Sequence, residues 1–251
     1  MSCDSEDSLK PGAQPFPPTS WSLIAAARGN ATEPEHAQKA IAEFCRNYWF
    51  PLYFYLRANG HDQTDAEDLT QTFFEQLLRR NLLQSVDQAR GKLRSFLLIA
   101  LKEVIIDDTR RRQAQKRGSG VPNLSFDHPK AEERFHLHTN DSGSDESDTG
   151  FDRVWARQLF DQAMDQVGHD HEKKGRGQIY TLLKPFITQT DDTGLSYGEA
   201  ATKLELQESS VRVRVFRMRK SLRDNLEKLV LETVSHPDEL EEEVRYLLSL
   251  L

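Results

Sequence analysis

Six cations, Arg212, Arg214, Arg217, Arg219, Lys220 and Arg223, fall between Ser209 and Arg223, and no acidic residue lies among them. A second basic block runs from Gly91 to Arg117, with eight Lys or Arg against three acids. Clustered ammonium and guanidinium groups hold phosphate, because they neutralise a polyanion and release its counterions. Both blocks stand on a chain that is acidic as a whole: 33 Lys and Arg against 40 Asp and Glu leave a net charge of −7 over 251 residues. The pattern predicts local polyanion sites on a protein that does not bind anionic surfaces indiscriminately.

Other chemistry is thinly represented. His136 with His138 and His169 with His171 sit in polar segments without converging partners, so neither pair predicts a metal site. Gly175-Arg176-Gly177 lacks the flanking strand that a phosphate-cradling loop requires and reads as a turn. Two cysteines, Cys3 and Cys45, without a CxxC, exclude a disulfide framework and a structural zinc cluster. No nucleophile elbow, Walker loop, HExxH or kinase signature occurs, and the acids belong to caps and exposed helix faces. The chain is expected to perform no covalent chemistry and to need no cofactor. With 37% hydrophobic and 29% charged residues it has an ordinary globular composition, and the absence of a long apolar run predicts no membrane partner. The acidic, Pro-rich stretch from Met1 to Thr19 lacks the layout of a signal peptide, which predicts a cytoplasmic protein.

The elements that must position the two basic blocks read as helices throughout. The expected fold is all-α: two small helical domains joined by a flexible linker, the second a helix-turn-helix. The punctuation predicts a disordered tail over 1–18, a helical domain over 19–117 and a flexible acidic linker over 118–150. A second helical domain over 151–234 and an acidic amphipathic extension over 235–251 complete the chain. In the first domain a short apolar helix opens at Trp21, and Ala37, Ile41, Phe44, Tyr48 and Leu52 make one apolar stripe, with Pro51 expected to kink or restart that helix. Thr64 to Glu67 reads as a capping box. The helix it opens turns Ala66, Leu69, Phe73 and Leu77 inward and leaves Asp65, Asp68, Gln71 and Glu75 outside. A third helix, about Lys92 to Arg112, is expected to carry Phe96, Ile99, Ala100 and Val104 on its inner side and three arginines at its C-terminal end, where cations suit the dipole.

The second domain opens with Phe151, Val154, Trp155, Leu159, Phe160 and Met164 at helical spacing. Ser196 to Leu204, a tight turn, and a helix from Ser209 onward have the lengths of a helix-turn-helix. Along that last helix Val211, Val215, Met218, Leu222, Leu226 and Leu229 form a continuous core stripe, and all six cations fall off it with no acid among them to balance them. A helix so divided is suited to a DNA groove, with phosphates held by Lys and Arg and base edges reached by one or two Arg near its N-terminal end.

Asp65-Ala66-Glu67-Asp68-Leu69-Thr70-Gln71-Thr72-Phe73-Phe74 closely resembles the DAEDLxQxxF segment of bacterial sigma factors of the extracytoplasmic-function type. Phe96 to Leu101 followed by Ile106 to Arg112 resembles that family's next helix, which ends in an Asp and an Arg run. Gly194 to Ala201, Leu204-Glu205-Leu206 and Ser210 to Leu222 resemble its C-terminal helix-turn-helix. The matching stretches stand in the family's order.

The resemblance implies a transcription initiation factor with two partners, core RNA polymerase and promoter DNA, and it leaves room for an anti-sigma factor. On it, Asp65, Glu67, Asp68, Gln71, Phe74 and Glu75 would dock on the clamp helices of the polymerase largest subunit. Arg90, Lys92, Arg94, Phe96, Arg110, Arg111 and Arg112 would grip the proximal promoter element as it opens, cations and a stacking surface being what single-strand capture needs. Ser209, Ser210, Arg212, Val213, Arg214, Arg217 and Lys220 would read the distal element. The chain departs from the family in having Phe96 as the one aromatic between Gln84 and Ala100, a poorly matching lead-in from Gly168 to Asp192, and a long acidic linker. The added helix at the C-terminus could pack on the domain, or its acids could shield the basic helix. Two other readings compete: a stand-alone helix-turn-helix regulator, and a sigma-like protein-interaction module.

Overall fold

The computed structural model describes residues 34–79, 91–114, 131–142, 148–188 and 195–251. Among them it is all-helical and contains no strand. The elements are α1 (Pro34–Ala58), α2 (Gln63–Arg79), α3 (Leu93–Ala114), α4 (Ala131–Ser142), α5 (Asp148–Lys173), α6 (Gly177–Ile187), α7 (Tyr197–Lys203), α8 (Glu208–Leu231), a 3₁₀ turn (Pro237–Glu239) and α9 (Leu240–Ser249). The tail over 1–18, the helix expected at Trp21 and Arg90 lie outside the described residues.

α1 does not restart at Pro51, which sits buried within it. Proline has no N–H, so the Asn47 carbonyl, one turn back, loses its helical donor. Gln158 of α5 donates its side-chain Nε2–H to that carbonyl, and the helix continues. Phe44, Tyr48 and Leu52 of the expected stripe are buried, and the side chains of Ala37 and Ile41 lie outside the description. A left-handed Gly60 (φ 85°) closes α1: the His61 N–H reaches the Leu56 carbonyl at 3.2 Å and the Gly60 N–H reaches Arg57 at 3.1 Å, a Schellman end that a side chain at Gly60 would strain.

α2 starts earlier than the capping box implied. Asp62 is the cap, accepting from the Asp65 N–H at 2.8 Å, and Thr64 lies inside the first turn. In α3 the buried positions are Leu93, Leu97, Leu98, Ala100, Leu101 and Val104, while Ile99 is 60% exposed and Phe96 half-buried. The inner face is therefore rotated from the Phe96 and Ile99 side. The run from Phe96 to Leu101 is apolar on every side, so periodicity could not choose between faces.

The expected flexible linker over 118–150 contains ordered structure. α4 lies against α1, with Phe135 set 5.4 Å from Phe54 and the Arg57 guanidinium over Phe135 at 4.9 Å. Glu132 accepts from the Tyr53 hydroxyl and from Arg57 Nε at 2.5 Å, and the Arg57 hydrogen bond holds its carboxyl below the usual range. Burial and this carboxylate push the Tyr53 phenol up. Ala131 and Phe135 supply the apolar contact that the surrounding polar sequence hides. His136 and His138 sit on α4 and His169 and His171 on α5, so these segments are helical.

One continuous core joins the first and second halves. Tyr48 of α1 stacks on Trp155 of α5 at 4.9 Å and 17°, and Tyr55 meets Phe151 edge-on at 6.3 Å. The expected α5 stripe is buried except for half-buried Phe160. α5 then packs on α8, and α6 and α7 complete a helical cluster around it.

Candidate nucleic-acid interface

The second helix of the helix-turn-helix is positioned from its N-terminal side. Ser196 caps α7 in a reciprocal box: its hydroxyl accepts from the Glu199 N–H at 3.2 Å, and its own N–H donates to the Glu199 carboxylate at 2.7 Å. These bonds hold the Glu199 carboxyl below its ordinary range. The turn that follows is a Schellman end, with Leu206 N–H on the Ala201 carbonyl at 2.9 Å and Glu205 N–H on Thr202 at 3.3 Å. It places Glu205, a non-glycine residue, at φ 53°. α8 leaves this turn at Glu208, and all six residues of the expected core stripe, Val211 to Leu229, are buried.

Opposite that stripe lies one exposed face made by Ser209, Arg212, Val213, Phe216, Arg217 and Lys220, with Ser210 and Arg214 half-buried beside it. Phe216 is 69% exposed and Val213 47%. An apolar ring standing among cations on a solvent face suits contact with base edges, thymine methyls above all. Phe216 was not among the residues expected here, although its position three after Val213 and off the core stripe was a readable signal.

The cations are not equivalent. Arg212 donates to Glu208 at 2.7 and 3.0 Å and lies over the Tyr197 ring at 4.3 Å, and Arg223 pairs with Glu227 at 2.7 Å. The acids that balance the helix thus stand just outside the span that contains none. Both pairs are exposed, and such contacts exchange readily for a phosphate. Arg219 points elsewhere, donating twice to the Phe186 carbonyl of α6 at 2.7 and 3.2 Å, and so fastens α8 to α6.

In the first half the expected residues are brought together differently. Phe74 is buried, edge-on to Phe73 at 5.2 Å and to Phe44 at 6.4 Å, and Gln71 is buried with its amide on Glu75 at 3.2 Å. Neither is a surface group, because α2 is covered by α1 on one side and α3 on another. Asp65, Glu67, Asp68 and Glu75 remain partly exposed. Asp65 grips Arg112 at 2.9 and 3.1 Å, so a residue expected to face polymerase pairs with one expected to face DNA. Arg110 and Arg111 are exposed.

Lys92 and Arg94 meet the C-terminal helix. Glu243 of α9, 1% exposed, accepts from Lys92 Nζ at 2.6 Å and from Arg94 Nε at 2.7 Å. Arg94 also holds Asp152 of α5 at 2.5 Å, and the Tyr246 hydroxyl donates to the same carboxylate at 2.7 Å. Burial works to raise the Glu243 carboxyl, but the hydrogen bonds from Arg94 and Lys92 outweigh it and hold it low. Burial and the Asp152 carboxylate push Tyr246 up to about 12. The Leu93 N–H, an unpaired donor of the first turn of α3, is taken by the Thr233 carbonyl at 2.9 Å.

Among the described residues no group of three or more His, Cys, Asp or Glu is placed to hold a metal, and no helix is long and apolar enough to cross a membrane. No family model, curated protein or solved structure matches the chain.

Proposed function

We propose that this protein is a specificity subunit of bacterial RNA polymerase, a sigma factor of the extracytoplasmic-function type that directs promoter recognition and initiation without covalent chemistry of its own. The observation that carries the reading is the exposed face of α8, where Arg212, Arg217 and Lys220 surround Val213 and Phe216 on a helix held by a capped, tight turn. Phosphates would be taken by the cations and methyl-bearing bases by the apolar side chains. The resemblance of the Asp65 to Phe74 segment to the polymerase-docking segment of that family adds the second partner, with Asp65, Glu67, Asp68 and Glu75 as the accessible acids. The test is size-exclusion chromatography of the full chain with bacterial core RNA polymerase at moderate salt. Co-elution supports the reading; a folded protein that elutes alone overturns it.

One observation favours a stand-alone helix-turn-helix regulator. Lys92, Arg94 and Arg112 are engaged in ion pairs, and Gln71 and Phe74 are buried, which leaves α8 as the more open of the two surfaces. On that reading the chain binds duplex DNA and never joins polymerase, and the same chromatography separates the two.

A further inference from the structure

We infer that the C-terminal helix α9 is an autoinhibitory latch, whose Glu243 carboxylate occupies in the free protein the Lys92 and Arg94 cations with which the first half would grip a DNA strand. The inference rests on the polymerase-subunit reading, because it is that reading which gives these two cations a strand to hold.

The geometry is that of a competitor. A carboxylate and a phosphate diester present the same paired oxygens to a guanidinium, so a group that satisfies Arg94 from one side excludes the other. Glu243 takes Arg94 through Nε at 2.7 Å and Lys92 at 2.6 Å, while Asp152 takes the remaining arm of Arg94 at 2.5 Å and the Tyr246 ring lies 4.9 Å beneath the guanidinium. The neighbouring cations of α3 are answered in the same way, Lys102 by Asp148 at 2.8 Å and Arg112 by Asp65 at 2.9 Å. Of these carboxylates, Glu243 belongs to the ten-residue helix α9. Asp148 and Asp152 belong to α5, at the centre of the core, and Asp65 to α2.

The way α9 is held also fits a detachable element. It follows a turn and one 3₁₀ turn after α8, and of its ten residues only Glu243, Val244 and Leu247 are buried. Glu241, Glu242, Leu248 and Ser249 face solvent. A short helix whose buried side chains are two apolar residues and one ion cluster, with Leu240 and Tyr246 packed at its edges, can leave without unpacking α8, whose own stripe is seated on α5. A buried charge cluster adds little net stability over an apolar contact of the same size, and its attested use is to select one arrangement over another. Release would free Lys92 and the Nε side of Arg94, whose other arm stays on Asp152, with half-buried Phe96 on the next turn as the stacking surface.

The experiment compares the full-length protein, Glu243→Gln, Glu243→Gln with Lys92→Ala, and a truncation after Glu239. Binding to a fluorescein-labelled single-stranded 20-mer of mixed sequence is read by anisotropy, with circular dichroism to check folding. The latch predicts about fivefold tighter binding for Glu243→Gln, a like gain for the truncation, and loss of the gain when Lys92 is also removed. Equal affinity of the folded variants and the parent overturns it, and so does unfolding of both variants, since α9 would then be a fixed part of the core. Co-elution with core polymerase is measured in parallel. Co-elution of the parent with unchanged strand affinity of the variants refutes the latch alone, whereas failure of the folded parent to co-elute refutes the polymerase reading.

Discussion

Arg217 and Arg219 are two residues apart on α8, yet the structure assigns them opposite roles, and a matched pair of alanine variants separates those roles. Arg217 stands on the exposed face, whereas Arg219 donates at 2.7 and 3.2 Å to the Phe186 carbonyl. Each phosphate contact contributes about 0.9 to the slope of log affinity against log salt, so losing one makes binding about 3.5-fold less sensitive to a rise from about 50 to 200 mM salt. Arg217→Ala is therefore expected to lower that slope by about one and to leave the melting temperature unchanged. Arg219→Ala removes charge-assisted hydrogen bonds in a partly buried site, a loss of about 1 to 2 kcal/mol, which lowers the melting temperature by about 2 to 8 °C in a domain of this size. Its salt slope should stay near that of the parent. The assay is anisotropy with duplex DNA over that salt range, paired with thermal denaturation followed by circular dichroism. A reduced slope with no loss of stability in Arg219→Ala, or an unchanged slope in Arg217→Ala, would refute the assignment of faces.

Glu205 adopts a left-handed backbone in the helix-turn-helix turn. That conformation strains an L-residue, and glycine there also loses more freedom on folding, so Glu205→Gly should gain no more than about 1 kcal/mol in chemical denaturation, and a loss would contradict the turn geometry. Stability should also depend on acid through Glu243, which faces Lys92 and Arg94 and shares the cluster with Asp152 and Tyr246. Its folded carboxyl is held low, so its contribution is complete above the unfolded value of about 4.3 and is lost as pH falls below it. Denaturation midpoints of the parent and Glu243→Gln should run parallel above about pH 5 and draw together as pH falls below about 4.3; a gap that acid leaves unchanged throughout would argue against this cluster.

The sequence was most readable where a helix meets the core along a single seam. On α8 the strict recurrence from Val211 to Leu229 leaves one possible face, and each of those residues is buried. α2 is flanked by both α1 and α3, so its buried arc is wide enough to take in Gln71 and Phe74, and a one-seam pattern undercounts it. On α3 the apolar run fills the whole circumference, and periodicity carries no phase there. The ion pairs were illegible for a different reason. Arg94 and Glu243 are 149 positions apart, and Arg112 and Asp65 are 47 apart; charge complementarity at such separations is decided by topology, which local pattern does not encode. The amphipathic character of the C-terminal extension could be read, but its docking on the first half could not. The ordered α4 within the expected linker escaped notice because two apolar residues, Ala131 and Phe135, suffice to seat it once α1 offers Phe54 and Arg57.

If the two halves serve two separate promoter elements on polymerase, the α1 and α5 contact must open, and the structure indicates what that costs. Opening exposes much of the Tyr48 and Trp155 stack and of the Tyr55 and Phe151 contact, on the order of 5 kcal/mol at about 1.5 to 3 kcal/mol per large side chain. A protein that must open at that cost binds about 4,000-fold more weakly than its open form would, since every 1.4 kcal/mol is about tenfold. Weakening the contact should then strengthen apparent polymerase binding while destabilising the free protein. Gln158→Ala is the mildest such change, because it deletes only the donor that replaces the missing Pro51 N–H at the Asn47 carbonyl. It should lower stability by about 1 kcal/mol and raise apparent affinity for core polymerase about fivefold. Affinity measured by labelled-protein titration, unchanged in a variant whose melting temperature has fallen, would mean that the halves act while packed together and that both DNA-facing surfaces must be reached from the closed form.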